Sequence, residues 1–239
     1  MDYSETVKKI KSSIAFIVRF NAENKPDGTG SGFVYGKKGI IVTCNHVIKD
    51  ANSILVKFPN SEFMLAKVAI KDEEHDLALL KFDDDKREPL ELENFDSIKE
   101  GMPVIFSGYP LSLQDLTTHQ GIISAITKDV TGIATYLIDG TVNSGNSGCP
   151  LMNIDGKVIG VVNAKRREHS DLLEKVEKMS LGAVSLHGVD LVKIYQAIIN
   201  NVQLGIGYAV PASYIPEHKD IPNLMDLENK LENLKKINE

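Results

Sequence analysis

An all-β fold, a sandwich or a barrel, is what this 239-residue chain predicts. Short apolar or alternating runs recur along it, Gly, Asn, Asp and Lys clusters bound them, and helical periodicity is nearly confined to its last third. A chain of this length buries roughly 70–75% of the surface its unfolded form exposes, enough for one large β domain or two lobes.

Taken in order, residues 5–11 read as a short helical turn. Strands are expected at Ile14–Phe20, Gly32–Tyr35, Ile40–Thr43, Ser53–Phe58, Met64–Ile70 and Leu77–Phe82. A second set is expected at Val104–Ser107, Gly121–Thr127, Ala134–Ile138, Pro150–Asn153, Val158–Asn163 and Gly207–Val210. Lys37-Lys38-Gly39 and Ile154-Asp155-Gly156-Lys157 supply hairpin turns, while Gly28-Thr29-Gly30-Ser31-Gly32 reads as a turn between strands. Residues 168–202 break the pattern with helices at Ser170–Lys178 and Val189–Val202; in the second, Leu191, Ile194, Tyr195, Ile198 and Val202 form one apolar stripe. The tail spaces Leu224, Leu227, Leu231 and Leu234 like a short heptad seam. The division expected is a main domain over 1–215 and a helical tail over 216–239, with the insertion or the tail as the surfaces for any homo-oligomer.

Composition narrows the function classes. A formal net charge of −6 gives no basic footprint for nucleic acid, and Lys165-Arg166-Arg167 is the only dense basic cluster. Asp72-Glu73-Glu74 and Asp83-Asp84-Asp85 lack the spacing of a calcium loop. There is no His-Glu-x-x-His string and no phosphate-binding loop, so no metal or other cofactor is expected. The apolar run Ile14–Val18 is too short for a signal core or a membrane span, and two cysteines are too few for a disulfide framework. A cytoplasmic protein with no membrane partner is the resulting expectation.

Three distant strings carry chemistry: Thr43-Cys44-Asn45-His46, Asp76-Leu77-Ala78 and Gly145-Asn146-Ser147-Gly148. A serine hydroxyl becomes a nucleophile at neutral pH when an imidazole takes its proton and a carboxylate holds that imidazole in the productive tautomer. The chain order His, Asp, Ser is the chymotrypsin-like one. His46, Asp76 and Ser147 are therefore the expected catalytic residues, with the backbone N–H groups of Gly145 and Ser147 as the oxyanion hole. Activity depending on a neutral imidazole rises with pH across roughly 6–7.5.

The chain resembles the HtrA/Deg branch of the trypsin-like serine peptidases. The resemblance lies in collinear segments: Gly30-Ser31-Gly32-Phe33, Thr43 to Ile48, Asp76 to Lys81, Gly121 to Ser124, Asn143 to Leu151, Val158 to Asn163 and Gly207 to Pro211. It implies two six-stranded antiparallel β-barrels with the site in the cleft between them, a polypeptide substrate, and a role in protein quality control or regulated proteolysis. Such relatives continue into PDZ domains, whereas this sequence stops at Glu239, so a PDZ-less peptidase is expected. The resemblance also places Thr141 at the base of the pocket for the residue before the scissile bond and Val162 on its wall, implying a small or medium aliphatic preference. The backbone of Asn163, Ala164 and Lys165 would add substrate as a strand. Asn146 cannot form the ion pair by which an acidic residue at that place secures a newly cut N-terminus, so control by ordering of the Gly140–Gly145 loop is favoured. Cys44 and Cys149 flank the site as buried thiols or a redox pair. The rival expectation is a resting peptidase-fold module that binds and signals until a partner activates it.

Overall fold

β-branched and aromatic side chains fill the runs that become strands, where a pleated and buried surface accommodates them. The computed structural model of the chain describes residues 2–83, 86–129, 131–164, 185–194 and 205–217. Strands β1 (Ile14–Phe20), β2 (Pro26–Val34), β3 (Ile40–Cys44), β4 (Ser53–Lys57), β5 (Met64–Asp72) and β6 (Leu77–Phe82) close one barrel in the order β1-β2-β3-β6-β5-β4. Strands β7 (Pro103–Gly108), β8 (Thr117–Lys128), β9 (Ala134–Asp139), β10 (Pro150–Met152), β11 (Val158–Val162) and β14 (Ile206–Pro211) close a second, in the order β10-β11-β14-β9-β8-β7. Each neighbouring pair is antiparallel. Closure leaves no long edge with unpaired backbone groups.

Each barrel carries its own buried cluster, and the first extends into the junction between the lobes. Phe33, Ile41, Val56, Leu77 and Leu79 fill the first; Ile105, Tyr109, Val158 and Val161 from the second lobe pack against the same cluster. Phe106, Ile123, Ile138, Leu151 and Ile159 fill the second barrel. Each such side chain taken fully out of water contributes roughly 1.5–3 kcal/mol. The N-terminal helix α1 (Ser4–Ile10) ties the start of the chain to the second lobe, burying Ile10 and donating the Thr6 hydroxyl to Ile154 O at 3.1 Å.

Two expectations change. Gly28–Gly32 is not a turn: it lies within β2, paired residue by residue with β1. A side chain at Gly30 would collide with Val47, and one at Gly32 with Ile41 and Val42, so these glycines serve close packing inside a strand. The helix expected from Val189 starts at Leu191, because Val189–Asp190 (β13) pairs with Ser185–Leu186 (β12) across His187 and Gly188. Of the expected apolar stripe, Leu191 and Ile194 are exposed, while Val192, which is not part of it, is buried. Tyr195, Ile198, Val202, the Ser170–Lys178 helix and the leucine tail lie outside the described residues.

Candidate active site

Sheet register brings the acid-base pair together. Cys44 pairs with Leu77 at one end of the β3–β6 ladder, so the residues after Cys44 and the residue before Leu77 emerge side by side. Beyond Cys44 the chain makes the single-turn helix α2 (Asn45–Ile48), whose first N–H groups have no intrahelical acceptor. Asp76 supplies both acceptors: its carbonyl takes Asn45 N–H at 2.9 Å and its Oδ1 takes His46 N–H at 2.8 Å. It does so from φ 55°, a left-handed conformation that aspartate adopts more readily than most residues. Its second oxygen, Oδ2, meets His46 Nδ1 at 2.6 Å. With Nδ1–H committed to the carboxylate, Nε2 is the acceptor, and Ser147 Oγ lies 2.9 Å from it. Asp76, His46 and Ser147 are thus joined in one chain of hydrogen bonds, with the serine 5% exposed.

Burial pushes the Asp76 carboxyl up, but hydrogen bonds from the His46 ring and backbone, the imidazole's charge and the Asn163 amide outweigh it, so the group stays ionised below the usual range. Cys44 and Cys149 are free and fully buried. Burial, then Asp76 and Cys149 nearby, push the Cys44 thiol up, and burial does the same to Cys149. Both stay protonated, with Cys44 Sγ–H directed at Val162 O at 3.3 Å, so neither is an available nucleophile. Donor atoms of Cys44, His46 and Asp76 lie within 4.8 Å of one another, yet the imidazole and carboxylate are spent on each other and the thiol holds its proton. Proton transfer, rather than metal binding, suits that set.

The serine sits in a loop that turns on two glycines with positive φ, Gly145 at 94° and Gly148 at 88°. A Cβ on either would strike backbone, Tyr109 O for Gly145 and Ser31 O for Gly148. Ser144 O accepts from Leu111 N at 2.7 Å, and Gly148 N donates to Val162 O at 2.8 Å. The N–H groups of Gly145 and Ser147 meet no acceptor among the described residues. Asn146 is fully buried, its side-chain amide without a partner among those residues.

The residues expected to bind substrate are placed less simply. Thr141 is exposed and Val162 has no exposed surface. Packing explains this: β11 is buried along its whole length, and Val162 belongs to the second-barrel core. Asn163 N–H is given to Tyr208 O at 2.8 Å and Ala164 N–H to Ser147 Oγ at 3.1 Å, so these two N–H groups are engaged within the chain. Lys165 lies outside the described residues. Sequence reasoning missed the Asn163 side chain, whose Nδ2 donates to Asp76 Oδ2 at 2.9 Å. An amide one residue past a buried strand was the available signal, but its partner is 87 positions away.

Residues 30–161, more than half of the chain, match the family described as "Trypsin-like peptidase domain". The chain belongs to that family. Within it, the chain is 36% identical over 146 residues to a probable periplasmic serine endoprotease, DegP-like, of Pseudomonas fluorescens, covering 60% of this chain and 30% of that protein. It is 35% identical over 164 residues to the serine protease Do-like HtrA of Bacillus subtilis, covering 62% and 36%. Among solved structures, the serine endoprotease from Yersinia pestis superposes with a TM-score of 0.65 at 25% identity, over 89% of this chain and 63% of that one. The chain therefore spans about a third of the length of these curated relatives. The expected cytoplasmic location is corrected by these names: the DegP-like relatives are called periplasmic. Ile14–Val18 lies inside β1, so its shortness reports a strand and says nothing of compartment, and a low cysteine count does not separate the two.

Proposed function

We propose that this trypsin-like domain is a serine endopeptidase that cleaves polypeptides through an acyl-enzyme. Ser147 Oγ attacks the scissile carbonyl as His46 Nε2 takes its proton, and His46 returns that proton to the leaving amine. Asp76 holds Nδ1–H and stabilises the imidazolium, while the N–H groups of Gly145 and Ser147 receive the oxyanion. Water then repeats the sequence on the acyl-enzyme, releasing the acid and restoring the serine. The observation that supports this reading most is the unbroken path from Asp76 through His46 to Ser147 at 2.6 and 2.9 Å. A small or medium aliphatic residue before the cut is the preference that the resemblance to the HtrA/Deg branch implies. Ser147→Ala should lower kcat about 10⁶-fold and abolish labelling by a fluorophosphonate, with the unfolding midpoint retained. Hydrolysis persisting in that variant, or failure of the folded wild type to label, refutes the assignment.

A further inference from the structure

We infer that the Ser31 hydroxyl is a positioning residue for the oxyanion hole, acting through the carbonyl of Gly145 and the N–H of Tyr109; this rests on the endopeptidase reading above. Ser31 has no exposed surface, and three of its atoms make four hydrogen bonds to the segments around the site. Its Oγ donates to Gly145 O at 2.7 Å and accepts from Tyr109 N at 2.9 Å. Its N–H donates to Ser147 O at 2.8 Å, and its carbonyl accepts from Thr43 Oγ1 at 2.7 Å. One strand residue of the first barrel thus grips the nucleophile loop on either side of Asn146.

The consequence follows from peptide planarity. An amide N–H points opposite its own C=O, so holding Ser144 O at Leu111 N aims the Gly145 N–H away from Leu111. The next peptide plane is held at both ends, Gly145 O by Ser31 and Asn146 N–H by Asn143 O at 3.0 Å, leaving Gly145 pinned on both sides at φ 94°. Glycine has no steric preference that keeps it there, so the pins decide where its N–H points. Ser31 also steadies the supplier of the first pin. Its bond to Tyr109 N anchors the turn that carries Leu111 and Ser112 at φ 54° and 61°, and Thr29 Oγ1 meets Ser112 Oγ at 3.1 Å on the same strand. Such left-handed residues persist where surroundings over-determine them. Without the hydroxyl, a buried carbonyl and a buried N–H lose their partner together, and rotation of the Gly145 peptides is the available relief.

Ser31→Ala should therefore lower kcat about 10- to 100-fold, less than the 10²–10³ lost on deleting an oxyanion donor outright. KM and affinity for a cleaved product peptide should stay within about twofold, and the inflection of the pH–rate profile should not move. Affinity for a peptide aldehyde, whose adduct with Ser147 loads the hole, should fall in step with kcat. A wild-type kcat in the variant, or equal losses of product-peptide and aldehyde affinity, overturns the inference while leaving the endopeptidase reading intact. A folded wild type that neither cleaves nor labels overturns both. Should the variant not fold, amide exchange in the wild type decides: Tyr109 N–H must be strongly protected, and free exchange there rejects the role of Ser31.

Discussion

The two halves of the site are held by different kinds of bond. His46 and Asp76 stand at adjacent strand ends of the first barrel, where the β3–β6 ladder sets their separation and Asp76 caps the helix that carries His46. Ser147 stands in a loop with no ladder of its own between β9 and β10, secured by Ser31, Leu111 and Val162 from three other segments. The first half inherits the rigidity of a closed sheet. The second is as well ordered as a few long-range hydrogen bonds make it, and such loops are where local opening costs least.

Among variants that keep the serine, striking the rigid half has the largest expected effect. Asp76→Asn keeps the shape but loses the charge that stabilises the imidazolium and fixes the Nδ1–H tautomer, so kcat should fall about 10⁴-fold. Steady-state kinetics on a peptide substrate measures this. A loss below tenfold would mean that the ladder-held pair does not carry the proton, and the contrast between the halves would collapse.

Legibility in the sequence followed the same division. Hydrophobic runs located the strands because the closed barrels bury at least one face of a strand, and all of β3 and β11; β1 and β6 keep their expected bounds. The meeting of His46, Asp76 and Ser147 was legible because the proton transfer proposed for them calls for those residue types. Asn163 and Ser31 were not, since their partners lie 87 and 114 positions away and any donor of suitable reach would serve. Gly28–Gly32 misled for a physical reason: glycine signals a turn locally, and only the packed neighbour Val47 shows why a strand needs it.

The bond that couples the halves comes next in size. Asn163 Nδ2 reaches from the end of β11 to Asp76 Oδ2, so Asn163→Ala should lower kcat about 10- to 100-fold with little change in KM, as expected for a hydrogen bond to a charged group. A raised KM at constant kcat would instead make Asn163 a substrate-binding residue. The variant has a second signature. Because the folded Asp76 carboxyl lies below its ordinary value, its ionisation stabilises the fold above about pH 4, and this contribution disappears as pH falls through the lower folded value. Removing the amide raises the folded value, so the gap in unfolding midpoint between wild type and variant should be widest near neutrality and close in acid. A gap that is flat or widens in acid would uncouple Asn163 from the carboxylate.

The smallest effect is expected at the outer end of the loosely held half. Thr141 is exposed, and a charge placed there acts through water, where screening leaves little of it at a bound side chain. Thr141→Asp should therefore change the ratio of cleavage after Lys or Arg to cleavage after Val or Ala by less than about threefold, read as kcat/KM on matched peptides. A tenfold gain after basic residues would have a definite structural meaning. The loop before Gly145 would have to fold inward when substrate arrives, carrying residue 141 from solvent to a pocket wall. The second half of the site would then be assembled by the substrate, while the first, fixed by its ladder, waits unchanged.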